Sequence, residues 1–339
     1  MGKHWGIAAL VAAVIVSSSI TGATPAEAAP ITSEKLTSKI EKLLRQLPGD
    51  YAVSVRELDG EKRTASIRSG SRREPASSAK LFIAYAVYTK IDRGALSLNS
   101  RVSSGLTVRA CLRAMIEPSD NYCAVELRNK VGNGFLNRLL AKNGYDDTHF
   151  WYSKGRTKVT STSDMATLMT RLERGELLSK KSTTRFLKQL RNQVWRDTIA
   201  SGLPANIVQA SKPGALYVRS GMVYTDAAIV YGKKTRYVIA IMGYHGSTIH
   251  SLVRISKLVY SSLEGSFKKG FTYTKAQMKS TRAITLRSGP GRSASVIRSF
   301  PKGVKVQVIS SRHRWYYVRA GGSVGWMLNS GLTLRNPIN

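Results

Sequence analysis

An unbroken apolar run, Leu81-Phe82-Ile83-Ala84-Tyr85-Ala86-Val87-Tyr88, constrains this chain more than any other stretch. It holds good helix formers and neither glycine nor proline, so it reads as a helix buried on most sides. Pro75-Ala76-Ser77-Ser78-Ala79-Lys80 leads into it, which puts Ser77 at or near the helix N-terminus. Lys80 follows three residues later on the same face, one turn on. A lysine opening a buried helix is costly to desolvate unless it is paired or its pKa falls. With a lowered pKa it is a base able to take the proton of a serine hydroxyl. The helix end also offers N–H groups and a positive dipole to a developing oxyanion. Ser-x-x-Lys is also a short pattern of common residues, and a capped helix with a snorkelling lysine produces it too.

The 339 residues have room for one large domain and a small one, and a hydrophobic content of 42% supports a core. Lys and Arg number 53 against 20 Asp and Glu, a formal net charge of +33. That excess implies anionic surroundings: nucleic acid, acidic lipid or an acidic wall polymer. Charge alone does not choose among them; the N-terminus chooses the compartment. Lys3 and His4 precede a short apolar core, Gly6 to Val16, and small residues end in Ala26-Glu27-Ala28. This layout predicts a secretory signal peptide over residues 1–28; a membrane anchor is the alternative, but the run is short for a span. A secreted protein is expected to have no nucleic-acid partner. In that compartment Cys111 and Cys123 could form a disulfide that staples the loop holding Ser119-Asp120-Asn121; two buried thiols are the other reading.

The patterning predicts a helix over Ser33–Leu47 with Ser33 as N-cap, a strand at Tyr51–Val55, a turn at Asp59-Gly60 and a return strand at Arg63–Ile67. Helices follow the Ser77 helix at Val108–Ile116, Tyr122–Val131, Phe135–Lys142, Asp164–Arg174 and Thr183–Arg191. Strands then appear at Val208, Tyr217-Val218, Ala227–Tyr231 and Tyr237–Ile241, and a helix at Ile249–Leu263 closes the domain. Strands at both ends with helices between predict one mixed sheet built from the two ends of residues 29–265. Residues 266–279, with Lys268-Lys269-Gly270, read as a linker. Residues 280–339 hold strand-like runs at Ala283–Arg287, Val304–Ile309, Trp315–Arg319 and Val324–Leu328, a small all-β module. No acid follows Glu264, so the module is expected to bind polyanions in a salt-sensitive way.

Ser119-Asp120-Asn121, at the break between two helices, together with Ser77-x-x-Lys80, resembles the class A β-lactamases and penicillin-binding proteins. Lys212-Pro213-Gly214 stands where that superfamily has Lys-Thr/Ser-Gly; Met165 to Leu178 looks like the helix after its Ω-loop, and Thr225 to Ile229 like the next strand. The resemblance covers about residues 33–265. It implies an α+β fold, a β-lactamase-like mixed sheet with a helical subdomain. It implies that Ser77 is acylated, Lys80 activates or orients it, Ser119 passes a proton to the leaving nitrogen and Lys212 supplies positive charge. Asn121 would bind the substrate's side-chain amide, Asp120 would brace the loop, and Gly214 and Ala215 would flank the substrate, with the Ser77 and Ala215 amides as oxyanion hole. No metal or cofactor is implied.

Two departures stand out. Pro213 replaces the hydroxyl residue of the third motif; Arg219 and Ser220 could supply the lost contact, and Arg219-Ser220-Gly221 is an alternative third motif. Between Thr148 and Ser163 there is no Asp or Glu, whereas class A enzymes carry an Ω-loop glutamate; Asp146 and Asp147 are the nearest acids. In the tail, Leu286 to Gly291, Lys302 to Val306, Trp315 to Val318 and Gly325-Trp326 resemble a bacterial SH3-like domain. That implies a small barrel and cell-wall binding, with Trp315, Tyr317 and Trp326 as a platform or as core. Together these features predict a secreted, cell-wall-associated, monomeric serine hydrolase. Its partners would be a β-lactam or peptidoglycan stem peptide and, through the basic module, anionic wall polymers. A D,D-peptidase and a decayed wall-binding protein are the alternatives.

Overall fold

The computed structural model describes residues 1–2, 31–151, 158–267 and 277–335. Residues 3–28 of the expected signal peptide and the Lys268-Lys269-Gly270 stretch of the linker lie outside them. Helix α1 spans Ser33–Leu44. Its N-cap is Thr32, not Ser33: Thr32 is extended and its hydroxyl accepts from Lys35 N at 3.3 Å. Ser33 Oγ instead accepts from Thr64 N, tying the helix to the second strand. Strands β1 (Asp50–Glu57) and β2 (Thr64–Ile67) form an antiparallel pair.

A 3-10 turn, Ala76–Ala79, opens α2 (Lys80–Asp92), whose residues from Lys80 to Thr89 are all buried. Helices α3 (Val108–Ile116), α4 (Asn121–Val131) and α5 (Asn133–Lys142) pack round it. The Cys111–Cys123 disulfide joins α3 to α4. A two-residue pair, β3 (His149–Phe150) and β4 (Lys158–Val159), precedes α6 (Thr162–Glu173) and α7 (Lys180–Arg191). Then come β5 (Val208–Ser211), β6 (Gly214–Val218), β7 (Gly221–Tyr231), β8 (Arg236–Tyr244) and α8 (Ile249–Glu264).

The large sheet runs β2-β1-β8-β7-β5, with β6 also on β7. The two ends of the large domain therefore meet at the β1–β8 pairing. Its central strands read as continuous apolar runs because each face feeds a different core. Ala227, Ile229, Val238 and Ala240 join the α2 side; Ala228, Val230, Ile239 and Ile241 join the α1 and α8 side.

The C-terminal module comprises β9 (Met278–Ser280), β10 (Ile284–Arg287), β11 (Val296–Phe300), β12 (Lys305–Arg312), β13 (Trp315–Ala320), β14 (Ser323–Leu328) and β15 (Leu332–Leu334). They form one sheet in the order β11-β10-β14-β13-β12-β9-β15. No pairing among the described residues joins β11 to β15, so the expected barrel is an open sheet. Trp315, Tyr317 and Trp326 are half-buried and outside the core, which Tyr316, Val318 and Met327 fill by strand alternation. The Tyr317 and Trp326 rings lie 5.1 Å apart on that outer face.

Candidate active site

Ser78 and Thr225 pin the turn that carries Ser77. Ser78 Oγ donates to Pro75 O at 2.6 Å and Thr225 Oγ1 donates to the same carbonyl at 2.9 Å. Ala76 takes a left-handed backbone, φ 48°. The turn is thus locked against β7, while Ser77 stays accessible at the mouth of the cleft. One turn on, Lys80 Nζ lies 3.0 Å from Ser77 Oγ.

Lys80 Nζ also contacts Ser119 O at 2.6 Å, Ser119 Oγ at 3.0 Å and Asn121 Oδ1 at 2.7 Å. Ser119 is left-handed, φ 65°, a conformation that costs a non-glycine residue energy and is kept where the surroundings over-determine it. Here they do: Lys212 Nζ donates to Ser119 Oγ at 2.9 Å and to Pro213 O at 2.9 Å. Asp120 is buried, and its Oδ1 caps α4 by accepting from Cys123 N at 2.8 Å. The preceding residues are fastened too, because Val194 N donates to Glu117 O at 2.9 Å and Trp195 Nε1 to Pro118 O at 3.0 Å.

Burial lowers the Lys80 ammonium pKa to about 7, against the opposing pull of Asp120 and with help from Lys158. Burial and the nearby Lys80 also push Lys212 well down. Two buried ammonium groups that share one hydroxyl cannot both be comfortably charged. At neutral pH the site thus holds a lysine able to accept a proton from Ser77 and a second near Ser119. Asp226, buried below Lys212, is raised to about 6 by its burial.

The edge strand brings the third motif to Ser77. Gly214 pairs with Thr225, and a Cβ on Gly214 would stand 2.6 Å from Ser77 N, so only glycine fits. Pro213 lies on this edge between β5 and β6, where a missing N–H is tolerated. Arg219 and Ser220 form the exposed turn between Val218 and Gly221. They line neither cavity at Ser77, since five strand residues span about 16 Å.

Two cavities meet at Ser77 and Ala215. One, of about 450 Å³, is lined by Ser77, Ser119, Asn121, Gly214 and Ala215, together with Trp195, Asp197, Thr198 and Tyr224 and the module residues Ile309, Ser310 and Ser311. The other, of about 310 Å³, is lined by Lys80, Asn121, Arg128, Phe150, Lys158 and Leu216 among others. Asp146 and Asp147 line neither; Asp147 N donates to Asp164 and its carboxylate accepts from Arg72. Lys158, in the wall of the second cavity, pairs with Glu74 Oε1 at 2.8 Å. Sequence reasoning missed Lys158, Trp195, Asp197, Thr198 and the module residues, none of which belongs to a linear motif.

The sequence profile of the β-lactamase enzyme family matches residues 35–263, and that of the bacterial SH3 domain matches residues 282–333. The chain belongs to the β-lactamase enzyme family. Among solved structures, this family member is similar to PBP-A at 23% identity over 69% of this chain and 98% of the other, TM-score 0.64. A point mutant of PBP-A described as an acyl-enzyme complex with penicillin G matches at 23% identity over 68% and 97%, TM-score 0.63. An ancestral class A β-lactamase matches at 21% over 67% and 99%, TM-score 0.61. These likenesses place the large domain in the class A β-lactamase fold. No curated protein matches the chain.

Proposed function

We propose that this serine hydrolase is acylated at Ser77 by β-lactams or D-Ala-D-Ala-type amides, and that deacylation is slow. The observation that carries the reading is the 3.0 Å approach of the buried, low-pKa Lys80 amine to Ser77 Oγ. Ser77 Oγ gives its proton to Lys80 Nζ and bonds to the carbonyl carbon. The amide C–N bond then breaks, and the leaving nitrogen takes a proton through Ser119 Oγ, beside Lys80 and Lys212. The Ser77 and Ala215 amides would hold the oxyanion, and Asn121, with Gly214, would orient the substrate.

A D,D-peptidase acting on peptidoglycan is the second reading. Its support is the lack of any acid from Thr148 to Ser163 and the presence of Lys158 in the wall. The intact contacts among Ser77, Lys80, Ser119 and Asn121 count against a decayed binding protein. Export by the N-terminal segment, attachment to anionic wall polymers through the basic module, and a monomeric state complete the proposal. Mass spectrometry after penicillin exposure tests it: an adduct on the peptide carrying Ser77, absent in Ser77→Ala, is expected. An adduct that survives that change overturns the assignment.

A further inference from the structure

We propose that the bacterial SH3-like module is a working part of the acylation site: β12 walls the substrate cleft, and Ser311 and His313 position the Ser119–Asn121 loop through Asp120. The inference rests on the acylation reading above and adds to it a role in catalysis for a module whose family suggests only binding.

The strand pattern supplies the first observation. Along β12, Val306 and Val308 enter the module core, so regular alternation would bury residue 310. It does not, because the register slips: Val308 pairs with Val318, but Ser310 pairs with Tyr317, leaving Ile309 as an extra residue. A bulge of this kind bends a strand and re-aims its side chains, and bulges gather beside active sites. Ile309 and Ser310 are exposed from the module as a result, and with Ser311 they line the cavity that holds Ser77, Ser119 and Asn121.

The second observation is the Asp120 carboxylate. Oδ1 is spent on the α4 cap. Oδ2 accepts from Ser311 Oγ at 3.0 Å and from His313 N at 2.9 Å. His313 turns left-handed, φ 54°, in the tight turn between Arg312 and Trp315, and that turn presents its N–H to Asp120. A buried carboxylate stripped of two donors would have to move or take up water, and it sits between Ser119 and Asn121, both of which touch Lys80.

The docking is reciprocal. Val194 belongs to the module core, with Trp195 packed against it, and both are tied to Glu117 and Pro118 just ahead of the triplet. On the far side, the Tyr122 ring meets His313 at 5.6 Å and lies under the Arg312 guanidinium at 5.2 Å. The module thus grips both flanks of Ser119–Asn121.

The test uses the full chain and its Ser311→Ala, Ser311→Thr and Ile309→Ala variants. Fluorescent-penicillin acylation is measured alongside deuterium uptake of the peptide spanning residues 119–126 without ligand. Thermal melting confirms that each variant is folded. Ser311→Ala should raise uptake and slow the limiting acylation rate by about 3- to 10-fold, the scale of one charge-assisted hydrogen bond partly transmitted to the site. Ser311→Thr should restore both. Ile309→Ala should raise the concentration needed for half-maximal rate and leave the limiting rate alone. Unchanged uptake in Ser311→Ala, or raised uptake with unchanged acylation, overturns the inference. If the wild type takes no penicillin, the acylation reading fails; the uptake result then decides by itself whether the module holds the loop.

Discussion

Lys158 Nζ stands 2.8 Å from Glu74 Oε1 in the wall of the cavity that Ser77 opens onto. The Glu74 carboxylate is therefore held by a cation, and Lys158 itself lies close enough to Lys80 to help lower its pKa. An ester on Ser77 would meet two lysines and no free general base from the 148–163 segment. General-base help is worth about 10²–10⁴-fold. A chromogenic cephalosporin should give about one product equivalent per enzyme, followed by slow turnover. Lys158→Glu should raise the steady-state rate by about 10²-fold. Sustained rapid turnover by the wild type, with no burst, would contradict the expectation.

Acylation should depend on pH through Lys80. The amine is a base only when neutral, and burial lowers its pKa from 10.5 to about 7. The acylation rate should rise as pH passes about 7 and level off above it. Lys158→Ala removes a neighbouring cation, so the midpoint should move up. The sign for stability follows from linkage: unfolded Lys80 stays protonated up to 10.5 while the folded one does not above about 7, so folding stability should increase between those values. A stopped-flow pH profile that falls through pH 7 would exclude Lys80 as the base.

Cys111 and Cys123 close a short loop that contains Ser119, Asp120 and Asn121. Replacing both by Ala should cost about 3 kcal/mol and lower Tm by roughly 5–10 °C. Reductant should reproduce the shift in the wild type and leave the double variant unmoved. Equal melting temperatures with and without reductant would argue that the bridge does not stabilise the fold.

Binding to purified cell walls should weaken steeply as salt rises, because the module carries no acid to offset its exposed basic side chains. Lys302→Gln, Lys305→Gln and Arg319→Gln change exposed residues that make neither of the module's hydrogen bonds to Asp120. The triple variant should lose wall binding in a pull-down and keep penicillin acylation. Retention indifferent to salt and to these changes would refute a charge-based attachment.

Much of the fold was legible in the residues themselves. The helix Val108–Ile116 has its predicted bounds, because a Thr cap and an amphipathic stripe mark it locally. Strands β7 and β8 declared themselves as apolar runs, since both faces of that sheet are covered. Strand β11 did not: Val296 to Ser299 are exposed and follow no alternation, so it left no periodic signal. The Thr32 cap was missed because Ser33 is as good a candidate until Thr64 claims its hydroxyl.

The motif residues Ser77, Lys80, Ser119 and Lys212 could be named from order and spacing, which fix which groups are available. Their meeting could not, because it joins residues 39, 93 and 191 positions apart: Lys80 with Ser119, Lys212 with Ser119, and Ser311 with Asp120. Contacts at that separation are set by how sheet, helices and module pack, and packing is a property of the whole chain. The same holds for Lys158 in the cavity wall, for the exposed turn that keeps Arg219 and Ser220 out of the cleft, and for the single extra residue, Ile309, that brings a strand of the SH3-like module into the lining of the Ser77 cavity.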